Sequence, residues 1–435
     1  MPNKNIFCNT PWYEVHIYWD GSLGICCQED HKLYKSTDKQ YNIASMSIAE
    51  WFNSKPVQNF RTGVNGNHRI SECRRCYMQE DHGGDSRRIR SNQKSVIYTH
   101  AAFDDSFVQS PGYEHFQSSI TKTNPIDLHI DLGNFCNLAC KMCHAKASST
   151  IASQQVKWGF EQDRQYLGTD WTRDKTVWEN FKQQLLELPN LNNIHFMGGE
   201  TLLTDRFEDL LDTMIAHKKF DLCFSFVTNG TVFKPDIINK LKLFRRVGLE
   251  ISIETMDVHN SYQRQGTDTE LVLHNIDLYQ TWCNGTSITV SLRPAPSVLT
   301  IGYYTELLQY ALDKNFIVKS SLCVNPEFLY VGILPADVRL QYAKKYQEFL
   351  SQFELIDTAS DYNSSDPNNC QQIVKQQAEM CLNLLLSPTV DNSDQLLDQM
   401  IRHCERWDRV YKLDARALYP EWKTIFDCYN YDISS

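Results

Sequence analysis

The sequence predicts an α/β fold in which parallel strands alternate with helices. Short apolar runs alternate with longer polar segments of helical periodicity, and this unit repeats six times between residues 125 and 325. Six such units require right-handed crossovers and are compatible with a partial (βα)6 barrel. The chemically active motifs fall where predicted strands end, which is where barrels of this kind bind their ligands.

The barrel strands are expected at 127–133, 193–198, 223–228, 248–254, 286–292 and 316–323. Helical segments are expected near 144–160, 175–187, 205–217, 234–243, 268–282 and 303–314. The predicted domains are a small cysteine-rich α+β module (1–100), a connector (101–124), the barrel (125–325) and a mainly helical C-terminal extension (326–435). In the extension, 336–356 and 370–386 have helical apolar spacing, and 357–369 is a polar loop.

Three cysteines follow the first predicted barrel strand. Cys136, Cys140 and Cys143 have a C-x3-C-x2-C spacing, which 15 cysteines in 435 residues would produce by chance about 0.02 times. Three thiolates hold three corners of a four-iron, four-sulfur cluster and leave the fourth iron open, whereas electron-transfer clusters use four cysteines. The loop therefore indicates a cluster that acts on a bound molecule, with buried unligated thiols as the alternative.

This loop resembles that of the radical S-adenosylmethionine (SAM) superfamily. The resemblance implies that the open iron binds the amino and carboxylate groups of SAM. Electron transfer then cleaves SAM to methionine and a 5′-deoxyadenosyl radical, which abstracts a substrate hydrogen. An electron donor such as flavodoxin or ferredoxin is implied as a partner. Met142 stands where the family has an aromatic or large apolar residue near the adenine, and loop packing is the alternative.

The ends of the next strands complete the predicted SAM site. Gly198, Gly199 and Glu200 resemble the family motif that contacts the SAM amino group, and a simple turn is the alternative. Asn229 lies at the end of the third strand and is a further candidate for the SAM site, with a simple turn residue as the alternative. Strand alternation places Ser252 on the same face as Glu250 and Glu254, where it can meet SAM.

Arg264 resembles an arginine that peptide-modifying relatives direct at the SAM carboxylate. The alternative for this residue is a solvated surface position.

A second set of cysteines lies in the first hundred residues. Cys8, Cys26, Cys73 and Cys76 resemble the twitch domain, the shortened form of the SPASM domain, in which four cysteines hold an auxiliary four-iron, four-sulfur cluster. Structural zinc is the alternative metal, and Cys27 is the alternative to Cys26. Around these residues we expect a β-hairpin over 11–27 that turns at Asp20-Gly21, followed by a helix from Ser47.

The order of these segments is unusual, because twitch and SPASM segments normally follow the barrel. No cysteine lies between Cys76 and Cys136, which favours one auxiliary cluster rather than two. Full ligation by four cysteines would leave that cluster no open iron, so an electron-transfer or structural role is expected.

Composition restricts the environment of the protein. Fifteen cysteines without a signal sequence or a long apolar run predict a reducing compartment, the cytosol, and no membrane segment. A formal charge of −10 argues against broad nucleic-acid binding, although Arg87, Arg88 and Arg90 form a local basic cluster.

The leading hypothesis for the reaction is oxidative modification of a ribosomally made peptide, because twitch and SPASM relatives are often peptide maturases. The alternatives are dehydrogenation or rearrangement of a sugar, amino acid or nucleoside, peptide epimerisation, and a non-catalytic metal-cluster scaffold. For epimerisation, Cys323 at the end of the sixth strand is the candidate hydrogen donor. The other cysteines are expected to be small buried hydrophobes.

Overall fold

A computed structural model of the protein describes residues 6–29, 40–64, 68–81, 86–98, 124–168, 170–354 and 370–433. Its strands are β1 Glu14–Ile17, β2 Leu23–Gly24, β3 Asp127–Asp131, β4 Asn193–Met197, β5 Cys223–Thr228, β6 Arg246–Ile251, β7 Ile288–Leu292 and β8 Ile317–Val318. They form one sheet in the order β2-β1-β3-β4-β5-β6-β7-β8, parallel throughout except for the β1–β2 hairpin. The predicted α/β fold class is confirmed.

The last barrel strand is shorter than predicted. The sequence predicts a strand over 316–323, whereas β8 ends at Val318. Beyond it the chain stays beside the segment after β7, because Ser321 N donates to the Pro294 carbonyl and Cys323 N to the Pro296 carbonyl, each at 3.0 Å. Prolines have no N–H to donate in return, so a regular ladder cannot continue.

The two faces of the sheet differ in chemistry. Residues such as Leu128, Ile194, Phe196 and Phe226 are fully buried, and Phe196 and Phe226 contact Phe207 of the covering helix. The alternate residues of the same strands point to the opposite face. That face forms the barrel lumen, and its side chains are mostly polar.

Helices cover the apolar face of the sheet. The barrel helices are Ser149–Lys157, Lys175–Glu187, Asp205–Ala216, Pro235–Leu241, Val258–Gln263, Thr269–Cys283 and Tyr304–Lys314. The N-terminal helices are Ile48–Phe52, Lys55–Val64, Arg74–Asp81 and Arg87–Tyr98. The C-terminal helices are Ala336–Glu354, Cys370–Leu386, Ser393–Tyr411, Ala415–Leu418 and Lys423–Cys428. No helix in the described ranges is long and apolar enough to span a bilayer.

The N-terminal hairpin is an integral part of the barrel sheet. β1 pairs in parallel with β3 through four residue pairs, from Glu14 opposite Asp127 to Ile17 opposite Ile130. The hairpin turns at Gly21, whose φ of 80° is available to glycine at low cost. The helix that follows begins with a capping box formed by Ser47 and Glu50. The segment that precedes the barrel in sequence thus extends its open edge.

Two predicted segments fall outside the description. The connector at 101–124, apart from its last residue, and the polar loop at 357–369 lie outside the described residues.

Two arginines of the predicted basic cluster form ion pairs within the protein. Arg87 pairs with Glu14, and Arg88 pairs with Glu80.

Candidate active site

The three-cysteine loop is held at the carboxyl end of β3 by the helix that follows it. Ser149 Oγ accepts from Cys136 N at 3.3 Å, and Thr150 Oγ1 donates to the Cys136 carbonyl at 2.6 Å. Cys143 N donates to the Cys140 carbonyl at 2.9 Å and closes a turn. Burial raises the pKa of all three thiols, that of Cys143 to about 12. Because neutral thiols bind metals poorly, these residues ionise where a metal cluster supplies positive charge.

The two glycines after β4 allow that strand to contact the cysteine loop. Gly199 N donates to the Ala147 carbonyl at 3.1 Å, and Glu200 N donates to the Phe135 carbonyl at 2.7 Å. A Cβ at Gly199 would lie 2.3 Å from the Phe135 oxygen, and one at Gly198 would lie 2.6 Å from Asp131 Cβ. The close backbone approach that the two glycines permit is therefore made to the cysteine loop.

The Glu200 side chain joins the ends of β4 and β5. Its carboxylate is buried and accepts from Thr228 Oγ1 at 2.7 Å, Asn229 N at 2.6 Å and Leu202 N at 3.1 Å. Burial raises its pKa, and the hydrogen bonds partly oppose that rise. Three donors leave one lone pair of the carboxylate for an ammonium group of a ligand.

Asn229 is tied to the cysteine loop by its side chain. Its Nδ2 donates to Asn137 Oδ1 at 2.8 Å, and its Oδ1 accepts from Thr231 Oγ1 at 2.7 Å. Asn137 Nδ2 in turn donates to Thr231 Oγ1 at 3.0 Å. Asn229 therefore fixes the position of the loop relative to β5 and is more than a local turn residue.

Arg264 lies beside the buried cysteine of the loop. It is only 9% exposed, so the solvated alternative is wrong. Its Nη2 and Nε bond Glu254 Oε1 at 2.5 and 3.0 Å, and its Nη1 lies 3.9 Å from Cys140 Sγ. Ser252 is buried, and its backbone N donates to the Thr228 carbonyl at 2.9 Å.

Met142 and Cys323, two further predicted site residues, differ in burial. Met142 is half-buried against the main core. Cys323 lies beyond the end of β8, because the prolines of the neighbouring segment prevent the regular ladder from continuing past Val318. The prediction that Cys323 ends the sixth strand is therefore wrong. It is nevertheless buried near Glu254 and Cys143, and burial raises its pKa to about 12.

Helix Ser393–Tyr411 packs against the cysteine loop. This contact was not predicted from the sequence. Lys141 is 1% exposed, and its Nζ donates to the Tyr262 carbonyl at 2.7 Å and lies 3.6 Å from the Tyr262 ring centroid. His403 Nε2 is 3.1 Å from the Lys141 carbonyl, and Trp407 belongs to the same small apolar cluster as Ala139. The apolar spacing of the helix from Leu396 to Trp407 could have predicted it.

The four N-terminal cysteines line one cavity. Cys8, Cys26, Cys73 and Cys76 share a pocket of about 370 Å³, its open mouth included. Burial raises the pKa of the Cys8 thiol. It also raises the pKa of Cys76, to about 11, so a bound metal centre would be needed to stabilise the thiolates. Cys27 does not line this cavity, and its neighbours are Cys26 and His129.

The barrel lumen is lined by ionisable groups. His16, His129 and His195 form a row across three strands, with adjacent ring centroids 4.5 Å apart and the rings tilted or edge-on to one another. Further along the sheet, Glu250 pairs with Arg293 and, at 2.8 Å, with Lys319. A typical (βα)8 barrel fills this space with branched apolar side chains, so this lumen suits a polar ligand.

The geometry is that of a partial barrel with a three-thiol loop at the carboxyl end of β3 and a four-thiol cavity in the N-terminal module. The model for the radical SAM superfamily matches residues 130–281, and the model for SPASM, an iron–sulfur cluster-binding domain, matches residues 8–77. Residues 130–281 therefore form a radical SAM domain, and residues 8–77 form a SPASM domain. These domains identify an enzyme of the radical SAM superfamily and imply SAM and four-iron, four-sulfur clusters as its cofactors, so structural zinc is not needed to explain the N-terminal thiols.

Several solved structures resemble the chain. One is anSMEcpe with bound AdoMet, with a TM-score of 0.39 and 18% identity over 54% of this chain and 63% of that chain. Another is Streptococcus suis SuiB bound to precursor peptide SuiA, with a TM-score of 0.35 and 11% identity over 66% of this chain and 62% of that chain. The chain thus covers less than two thirds of the length of these proteins. No curated protein matches it significantly.

Proposed function

We propose that this radical SAM enzyme catalyses a net two-electron oxidation of a ribosomally made peptide. The observation that carries the oxidative assignment is the four-cysteine cavity in a module that shares a sheet with the barrel. Four protein thiolates leave no iron open to substrate, which suits an electron acceptor. Abstraction of one hydrogen atom leaves a substrate radical, and loss of one further electron and a proton completes the oxidation.

The residues around the loop have separable roles in this proposal. When bound, the cluster held by Cys136, Cys140 and Cys143, with SAM on its open iron, supplies the radical that abstracts the hydrogen. Glu200 presents a buried carboxylate to the SAM ammonium, and Arg264 presents a cation beside Cys140. Met142, Gly198, Gly199, Asn229 and Ser252 shape the remainder of the SAM site.

The substrate class is supported by the resemblance to twitch and SPASM peptide maturases and by the polar lumen. Imidazole, carboxylate and guanidinium groups can bind the backbone amides and polar side chains of a peptide. A small carboxylate-bearing molecule is the second candidate, because Glu250 faces two cations, Arg293 and Lys319. The excess cation can bind a carboxylate of such a substrate.

A mass measurement tests the oxidation. Anaerobically reconstituted enzyme, SAM and reductant are incubated with peptides encoded by short reading frames beside the gene, and with small carboxylates in parallel. We expect a peptide product about 2 Da lighter than its substrate, with one 5′-deoxyadenosine per product. A product of unchanged mass with one solvent-derived hydrogen on carbon would contradict the oxidation and favour epimerisation with Cys323 as hydrogen donor.

Loss of the N-terminal thiols tests the role of the module. Cys73→Ala/Cys76→Ala should spare SAM cleavage and block product formation, whereas Cys428→Ala, at an exposed thiol, should leave both unchanged. Circular dichroism controls for folding, because cluster ligation also stabilises small modules. Normal product formation by the double variant would refute the acceptor role.

The remaining assignments are part of the same proposal. The enzyme would work in the cytosol, receive electrons from a flavodoxin or ferredoxin, and bind no nucleic acid. Its domains would be the module (1–100), connector (101–124), barrel (125–325) and C-terminal extension (326–435).

A further inference from the structure

A cluster of histidines lies where the N-terminal hairpin joins the barrel. His16 on β1 is in register with His129 on β3, and Asp131 is two residues further along β3 on the same face. His16 Nε2 is 3.5 Å from Asp131 Oδ1, and one ligand atom from each of the three residues lies within 4.8 Å of the others. Neither strand alone brings these three groups together.

The two imidazoles are buried without hydrogen bonds. His16 is 3% exposed and His129 is 1% exposed, and no ring nitrogen of either residue makes a hydrogen bond of regular geometry among the described residues, although Asp131 faces His16 and the Cys27 thiol lies near His129. By contrast, the similarly buried His259 has both ring nitrogens bonded, to Asp257 and to the Leu418 carbonyl. An unsatisfied buried polar group costs about 1–3 kcal/mol. Four such nitrogens in one place indicate that a ligand completes the site.

We propose that His16, His129 and Asp131 bind one mononuclear divalent transition-metal ion. Two imidazoles and one carboxylate are a known donor set for such ions, with positions left open for other ligands. Nitrogen and oxygen ligands lie about 2.0–2.2 Å from a tetrahedral ion and hence about 3.3–3.6 Å from one another. The 3.5 Å separation of His16 Nε2 and Asp131 Oδ1 matches that geometry and is long for a direct hydrogen bond.

The position of the ion gives it a role in the lumen. His195 is next to His129, is half-buried and faces the same interior, so an ion bound by His16, His129 and Asp131 would border the lumen. A carboxylate or amide oxygen of the substrate can bind there and be held at a fixed depth. This role rests on the proposed function, whereas metal binding itself does not.

The same residues also complete the link between module and barrel. His16 belongs to the hairpin of the cysteine-rich module, and the other two ligands belong to the first barrel strand. A shared ion would join the two parts beyond their backbone hydrogen bonds.

Cobalt binding to the holoenzyme tests the site. Enzyme with both iron–sulfur clusters in place is incubated anaerobically with Co²⁺ and desalted, and cobalt and iron are measured by mass spectrometry. We expect about one Co²⁺ per chain with visible d–d bands of nitrogen and oxygen ligation. His129→Ala and the isosteric Asp131→Asn should each weaken binding by at least about a hundredfold, with iron content unchanged. His195→Ala, in the same row of histidines, is the matched control and should keep the ion.

Two outcomes would overturn the proposal. The first is wild-type enzyme with full clusters that retains no Co²⁺ after desalting, in which case His16 and Asp131 form a simple ion pair. The second is cobalt that persists equally in Asp131→Asn and shows thiolate charge-transfer bands, which would place it on a cysteine instead. If His129→Ala does not fold, Asp131→Asn decides the question alone. Neither outcome bears on whether the wild type cleaves SAM. The metal site and the proposed function can therefore be refuted separately.

Discussion

The close contact between the glycine pair and the cysteine loop makes Gly199→Ala an informative perturbation. The added Cβ would lie 2.3 Å from the Phe135 oxygen and 2.9 Å from its carbonyl carbon, and Gly199 has a φ of +56°. The left-handed conformation costs a residue with a Cβ about 1–2 kcal/mol, and overpacking adds about 1–3 kcal/mol. Because the clash is with backbone, the loop must shift. We expect a loss of about 2–5 kcal/mol in unfolding free energy, lower iron content and weaker SAM binding.

Gly285→Ala separates the steric effect from the conformational one. Gly285 has a φ of +69°, but nothing lies within 4 Å of the position that a Cβ would take there. This control should lose only about 1–2 kcal/mol and keep full iron and SAM affinity. Urea unfolding, iron analysis and calorimetric SAM titration are compared for both variants. If Gly199→Ala matches Gly285→Ala in all three, the loop is not supported by the glycine contact and the reasoning fails.

Three further predictions concern ionisable groups near the loop. Glu200→Gln should weaken SAM binding by about 10–100-fold in calorimetry at unchanged iron content, because it removes the carboxylate charge; equal affinity would show that the motif is only structural. Arg264→Ala leaves Glu254 buried without its cation and should lower stability by about 3–5 kcal/mol in urea unfolding, a loss that a free surface arginine would not produce. Burial lowers the pKa of His403 to about 3, below its unfolded value, so the neutral ring stabilises the fold at high pH and this contribution is lost as pH falls below about 6.5. Between pH 8 and pH 5 the wild type should lose about 1–2 kcal/mol more than His403→Gln, and parallel pH profiles would exclude this effect.

The features that the sequence predicted are those encoded locally. Each of these patterns is contained in a short stretch of sequence. Examples are the spacing of Cys136, Cys140 and Cys143 and the apolar periodicity of segments 175–187 and 370–386. The hairpin at Gly21 likewise depends on neighbouring residues. Short-range patterns of this kind report local conformation and ligand spacing, and the structure agrees with them.

The features that the sequence did not predict depend on contacts between distant segments. The pairing of β1 with β3 joins residues more than a hundred positions apart, as Glu14 with Asp127, and no periodicity in either strand specifies the partner. The support of Lys141 by His403 is a contact over 262 positions. The shortening of β8 depends on prolines in the neighbouring segment rather than on its own sequence. In each case the missing information was the identity of the neighbour.

The central claim is that one chain carries a SAM-cleaving cluster on its three-cysteine loop and a separate cluster in its N-terminal cavity. The most direct test measures iron content and 5′-deoxyadenosine release of anaerobically reconstituted wild type and Cys140→Ala, with SAM and reductant. We expect about eight irons and steady release for the wild type, and about four irons with no release for Cys140→Ala. Unchanged release by Cys140→Ala, or a wild type with about four irons that are all lost with Cys140, would contradict it.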